Sequence, residues 1–358
     1  MPAKISTKAS TTLNIGIAGL GWPGYQHAGA LAQSKVGRVY ACADPDKERQ
    51  AKFRAEFPAA KPFRTVEEMV EDSNLDAVVI CLPNGMHFSA SLAALQNGKH
   101  VLCEKPPTLN AAEMKVLQEE AAKRGLIYCF GRQQRFSAEL LACKKAVEAG
   151  RLGTMYFARA IWIRSRGTPT GIGGWFTDKA KSGGGALIDI GVHALDAVWY
   201  LMGTPRPLSV SAQVFRNFAH LVDVPKFDVD DAAYGFIRFE NGAVVHLETS
   251  WAANLPDDVP GEGAKREMVN SFIYGSKATL RLYPLALFED QDGDLVTVPL
   301  ETDATIKPFT RQMENFLAAV QGKEEPVNSA QQAVYLMEML DAIYLSSEKK
   351  QEIPIARL

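Results

Sequence analysis

The chain has 358 residues, 47% of them hydrophobic, which is enough for two domains with a core each. Thirty-nine Lys and Arg face 41 Asp and Glu, a formal charge of -2, so no cationic surplus exists to condense on a phosphate backbone or an anionic membrane. Disorder, small disulfide scaffolds and nucleic-acid binding are therefore not expected. The first twelve residues, MPAKISTKASTT, lack the apolar core of a secretion signal, and no window reaches the 18 apolar residues of a membrane span. Five cysteines, with no CxxC, read as small core hydrophobes and point to a reducing, cytoplasmic setting.

The first 130 residues alternate apolar runs with helical periodicity. LNIGIAG (13–19), RVYACAD (38–44), DAVVICLP (76–83), KHVLCEKP (99–106) and LIYCFGR (126–132) are strand-length. Helical spacing fills 25–33, 45–57, 65–72, 85–97 and 110–125. The alternation predicts an α/β fold, a doubly wound parallel sheet over residues 12–133. After a helix at 136–149, strands follow without intervening helices at 153–165, 207–215, 231–240, 243–253, 268–275 and 278–284. Asn241-Gly242 and Asp292-Gly293 signal hairpins. A largely antiparallel open sheet in an α+β domain, residues 134–358, is expected, with closing helices at 308–321 and 329–347.

In GIAGLGWPG, Gly19, Gly21 and Gly24 have the G-x-G-x-x-G spacing, with Trp22 and Pro23 between the last two. They follow a strand and precede a helix, the arrangement that turns the chain tightly and seats a pyrophosphate at the helix start. Asp44, 25 residues after Gly19, ends the second strand, where it can accept from an adenosine ribose or cap the next helix. A carboxylate there favours NAD over NADP, although Lys47 and Arg49 leave NADP open.

Polar groups also gather at strand ends, where ligands bind in open α/β sheets. CLPNGMH supplies Pro83, Asn84 and His87; Asn84 reads as a helix cap or a contact to the nicotinamide half of the cofactor, and His87 as a backbone brace or such a contact. CEKPP supplies Glu104 and Lys105 and a candidate cis bond before Pro106. SGGGALIDIGVHALD places Asp189, His193 and Asp196 on one face of an otherwise apolar helix, where buried polar groups need partners. A metal site from Asp189, His193 and His87 is not expected, since no HExxH spacing is present.

Together the G-x-G-x-x-G turn, LPNGMH, CEKPP and the D-x-G-x-H-x-x-D helix resemble the glucose-fructose oxidoreductase, inositol dehydrogenase and rhizopine catabolism (Gfo/Idh/MocA) family, from Leu13 onward. The resemblance implies NAD or NADP on the first domain and Lys105, Asp189 and His193 as catalytic residues. It also implies a C-terminal sheet that often joins subunits, hence a homodimer or homotetramer. Arg135, Arg164, Arg166, Trp162 and Trp175 are cleft-lining candidates for a carbohydrate or cyclitol, or else core and solvated charge. The expected reaction is hydride transfer between a secondary hydroxyl and nicotinamide. An NAD-assisted glycoside hydrolase or lyase, acting by transient oxidation, and a non-catalytic dinucleotide sensor are the alternatives.

Overall fold

The computed structural model describes residues 12–262 and 265–355, apart from the side chains of 172 and 173; the leader reading of residues 1–12 lies almost wholly outside them. Its contacts divide the chain into two units. One runs up to Phe136 and takes in Lys307–Val334; the other comprises Ser137–Ile306 and the residues from Tyr335 on.

In the first unit a six-stranded parallel sheet has the order β3-β2-β1-β4-β5-β6, with β1 Leu13–Ala18, β2 Gly37–Ala43, β3 Lys61–Phe63, β4 Ala77–Ile80, β5 His100–Cys103 and β6 Tyr128–Phe130. Helices α1 Trp22–Ala32, α2 Lys47–Glu56, α3 Val66–Val70, α4 His87–Gln96 and α5 Ala111–Arg124 connect these strands. The order reverses between β1 and β4, the switch point where α/β sheets bind ligands. Edge strand β3 escapes the sequence reading because KPF is short and lacks an apolar run. Asp46, Thr65 and Asn110 cap α2, α3 and α5 through their side chains, and Gly125 ends α5 in the left-handed region.

One segment departs from the expected boundary. Helix α9, Pro308–Val320, belongs to the first unit, where Met313, Phe316, Leu317 and Val320 join Ile15, Ile17, Leu31 and Phe53 in one core. Its apolar residues are the reason: burial stabilises each large side chain by about 1.5–3 kcal/mol.

In the second unit, helix α6, Ala138–Glu148, precedes β7, Met155–Arg164, and the four-residue helix α7, Lys179–Ser182. A π-helical turn, Leu187–Gly191, runs into α8, Val192–Leu201. The sheet order is β16-β15-β14-β13-β7-β10-β9-β8-β17, with β8 Pro207–Phe215, β9 Ala232–Phe239, β10 Val244–Ser250, β13 Phe272–Gly275, β14 Ala278–Arg281, β15 Ala286–Gln291, β16 Asp294–Val298 and β17 Ile353–Pro354. Strand β11, Gly261–Glu262, pairs with β12, Lys265–Met268, which borders β7. All pairings are antiparallel except β7 with β10. Both hairpin signals hold: Gly242 turns β9 into β10, and Asp292 and Gly293, at φ +56° and +94°, turn β15 into β16. One sheet face packs on α8 and its π turn; the opposite face carries Phe236 stacked on His246 and Arg159 paired with Glu248 at 2.7 Å. Helix α10, Ala330–Lys349, precedes β17. No helix of the described residues is long and apolar enough to cross a membrane.

Candidate active site

The glycine turn is built for a close approach. Gly19 has φ +88°, and a Cβ there would stand 2.4 Å from the Cys81 carbonyl oxygen; a Cβ on Gly24 would stand 2.2 Å from that of Gly19. On Gly21 a Cβ would meet nothing nearer than Pro23 at 3.8 Å, so that side of the turn is open. Helix α1 starts at Trp22, three residues before the expected start, with Gly21 at its N-cap and no side-chain cap in the described residues. Its first N–H groups and the positive end of the dipole suit a pyrophosphate. Trp22 is 65% exposed, with the edge of Phe309 against its ring. Asp44 does not cap α2, a role Asp46 fills. Its Oδ2 accepts from Leu20 N at 3.0 Å and its Oδ1 from Asp46 N at 3.0 Å, which fixes the turn and leaves carboxylate lone pairs for a ribose. These groups fit a dinucleotide.

Around the next strand ends, Pro83 is exposed and Asn84 is buried in a short 3-10 turn, Asn84–Met86. Asn84 is not the cap of α4: that position is Met86, which supplies no side-chain bond. His87 is buried, with Nδ1 2.7 Å from the Pro106 carbonyl and Nε2 2.8 Å from the Leu82 carbonyl. Two carbonyl acceptors require two N–H donors, which only the imidazolium has. Burial pushes its pKa down, but the Cys103 sulfur and the two carbonyls carry it up to about 9. His87 thus ties the LPNGMH loop to the EKPP turn by its backbone, and both ring nitrogens are occupied. The Lys105-Pro106 bond is cis, as expected. Glu104 Oε1 accepts from His27 Nε2 at 2.7 Å and Oε2 from Lys105 N at 3.2 Å. The sequence reading missed His27, which lies three residues after Gly24 at a buried position of α1.

In the second unit the segment leading into α8 is pinned to Asp230. Its Oδ1 accepts from Gly185 N at 2.8 Å, its Oδ2 from Leu187 N at 2.9 Å, and its main-chain oxygen from Ala186 N at 3.0 Å. Only glycine fits at 185, since a Cβ would stand 1.7 Å from that oxygen. The expected regular helix is instead π-helical over Leu187–Gly191, a widened turn often found at functional sites. Gly191 lets it settle on β10, where a Cβ would meet Thr249 at 2.8 Å. Asp189 and His193 are half-buried, whereas Asp196 is wholly buried and does not share their exposed face. Trp251 Nε1 donates to Asp189 Oδ2 at 3.0 Å, a brace from β10's end that no local pattern announces. His193 packs against the Trp162 ring, 5.6 Å between centroids.

The arginines are otherwise engaged. Arg164 Nε donates to Glu267 Oε1 at 2.6 Å, which also accepts from Trp162 Nε1 at 2.7 Å. Arg166 donates to the Ala253 carbonyl and to Asn254 Oδ1. Arg135 corrects the cleft expectation: it is wholly buried in the first unit, donates to the Val327 carbonyl and to Gln332, and lies over Phe130. Trp175 stacks on Phe176 at 3.9 Å. Among the described residues no three His, Cys, Asp or Glu side chains are grouped to hold a metal.

Comparison with known proteins adds a history to this geometry. Residues 13–132 match the family described as "Oxidoreductase family, NAD-binding Rossmann fold", and residues 140–281 match the GFO/IDH/MocA C-terminal domain. The D-glucoside 3-dehydrogenase of Escherichia coli (strain K12) is 31% identical over 96% of this chain and 97% of its own length. The NADP(+)-type scyllo-inositol 2-dehydrogenase of Bacillus subtilis (strain 168) is 28% identical over 96% of both. A levoglucosan dehydrogenase, solved with NADH and levoglucosan, has the same fold, with a TM-score of 0.84 at 22% identity over 97% of this chain and 100% of that one. With the glycine turn, the EKPP turn and both domain matches in one chain, the protein belongs to the Gfo/Idh/MocA family of NAD-binding oxidoreductases.

Proposed function

We propose that the protein is a dehydrogenase that oxidises a secondary hydroxyl of an uncharged sugar, glycoside or cyclitol, with NAD as the preferred acceptor. The observation that carries this reading is the head of α8. Asp189 is anchored by Trp251, and His193, four residues on, is held against Trp162, so a carboxylate and an imidazole stand half-buried beside an indole. An indole face suits the C–H surface of a sugar ring. Nicotinamide, when bound, supplies the hydride acceptor. His193 takes the hydroxyl proton, Lys105 donates a hydrogen bond to the developing alkoxide, and Asp189 orients a neighbouring hydroxyl. Asp44, at the end of β2, favours NAD by repelling a 2'-phosphate.

The arginine pairing supports an uncharged substrate. Arg164, which lies over the Trp162 ring, has its charge matched by Glu267, while the exposed Arg166 is held by the Ala253 carbonyl and the Asn254 amide oxygen. The E. coli relative's name, a glucoside dehydrogenase, agrees with that class. The exposed aromatic face of the second unit's sheet suits self-association as a homo-oligomer. Five free cysteines, four of them buried, suit the cytoplasm.

The test is to follow NAD reduction by its absorbance change across free sugars, methyl glycosides, inositols and sugar phosphates, with about 8 kcal/mol of barrier lowering the least expected of such a catalyst. Uncharged polyols should reduce NAD and their phosphates should not. His193→Ala and Lys105→Ala should each abolish turnover with NAD affinity kept. Preference for a phosphorylated substrate, or glycoside cleavage with no net reduction of NAD, would refute the reading.

A further inference from the structure

We infer that His27 is a positioning residue for Lys105, acting through the Glu104 carboxylate; the inference rests on the role given to Lys105 above. His27 lies in the second turn of α1, wholly buried, with the edge of Phe309 against its ring at 5.0 Å. A carboxylate can only accept, so His27 Nε2 carries the proton it donates to Glu104 Oε1 at 2.7 Å. The other ring nitrogen, Nδ1, is buried and has no hydrogen-bond partner among the described residues. Leaving a buried polar atom unsatisfied costs about 1–3 kcal/mol. Leucine or phenylalanine would fill this apolar position without that penalty. What histidine adds is the donor to Glu104.

Glu104 in turn is fixed on three further sides. Its N–H donates to the Ile80 carbonyl of β4 at 2.9 Å, and Oε2 accepts from Lys105 N at 3.2 Å. Gly131, just after β6, leaves the carboxylate its place: a Cβ there would stand 2.9 Å from Glu104 Cδ and 3.0 Å from Oε2. Burial pushes the Glu104 carboxyl up, and the hydrogen bond and charge of His27, with the N–H and charge of Lys105, bring it below the ordinary carboxylate range. Without His27 the upward push of burial meets one donor fewer. Glu104 then takes up a proton, which makes Oε2 a weaker acceptor, or turns toward water, and in both cases the Lys105 N–H is held less firmly. The link also joins the helix that begins at the glycine turn to the lysine 78 residues later.

The experiment compares His27→Leu and His27→Gln with the unaltered protein, Lys105→Ala serving as reference. Gln is chosen because its amide nitrogen reaches the same carboxylate. Two readouts are taken: the rate of Lys105 reductive methylation by formaldehyde and cyanoborohydride, read by peptide mass, and kcat with whichever methyl glucoside or inositol the parent protein oxidises. His27→Leu should change the labelling rate at least threefold and lower kcat about 10–100-fold, the scale of a misplaced reacting group, with NAD affinity held within about threefold. His27→Gln should restore both. Unchanged labelling and kcat in His27→Leu, or parallel loss of kcat and NAD affinity that Gln does not rescue, would overturn the inference and leave His27 as packing. Wild-type kcat in Lys105→Ala would instead overturn the role of Lys105. Should His27→Leu not fold, Glu104→Gln replaces it: the same kcat loss at retained NAD affinity supports the link, and full kcat refutes it.

Discussion

Replacing Trp251 by phenylalanine isolates the brace on Asp189. The indole is wholly buried with Ala186, Ile190 and Val229, so phenyl keeps most of the apolar contact while the N–H at 3.0 Å from Asp189 Oδ2 is lost. A hydrogen bond to a charged group is worth about 1.5–3 kcal/mol. The smaller ring leaves about 40 Å3 unfilled, which adds about 1 kcal/mol at 24 cal/mol per Å3. The sum, about 2.5–4 kcal/mol, lowers the Tm by about 5–15 °C for a unit of this size. The discriminating assay is a cycle of Trp251→Phe and Asp189→Ala in thermal or urea unfolding, with kcat measured on the same proteins. If the hydrogen bond is what couples them, the tryptophan change should cost at least about 1 kcal/mol less when Asp189 is already alanine. Trp251→Phe should also lower kcat at unchanged NAD affinity. Additive stability losses, within about 0.5 kcal/mol, would show that Trp251 merely packs and would refute the argument.

Three further outcomes are expected. Gly24→Ala should lower NAD affinity at least about tenfold by calorimetry, since its Cβ would stand 2.2 Å from the Gly19 carbonyl oxygen and the turn must open. Arg135→Met should cost about 2–4 kcal/mol of stability by leaving the Val327 carbonyl unpaired, with the KM for the sugar unchanged; a raised KM at unchanged Tm would return Arg135 to the cleft. His100 accepts from Ile127 N at Nδ1, and burial holds its pKa down at about 4. Because its folded value lies below the unfolded one near 6.5, its contribution is complete above pH 6.5 and is lost as pH falls toward 4, by up to about 3 kcal/mol. Urea midpoints at pH 7 and 4.5 should therefore differ less in His100→Gln than in the parent, and an equal difference would exclude His100 as the source.

The cofactor half was legible because its signals are local. Fully buried parallel strands read as continuous apolar runs, and Gly19 and Gly24 of GIAGLGWPG stand where sterics admit little else. Lys105, Asp189 and His193 could be singled out by motif, yet what holds them could not. Trp251 lies 62 residues from Asp189, and His27 lies 77 from Glu104; one hydrogen bond between distant residues leaves no periodic trace. The π turn escaped for a related reason, since apolar spacing alone does not distinguish five widened residues from an ordinary helical turn. Arg135 misled because a cation after a strand end usually meets solvent, whereas here residues 327–332 return to cover it.

The return of α9 to the first unit also orders the protein's synthesis. Met313, Phe316 and Leu317 complete a core begun by Ile15 and Ile17, so a ribosome must release the chain through α9 before the dinucleotide unit can close. The second unit, apart from its final helix and strand, is then already outside the exit tunnel as an insertion within an unfinished neighbour. Nascent chains stalled before residue 308 should remain sensitive to protease across residues 12–136, however well the later segment has folded.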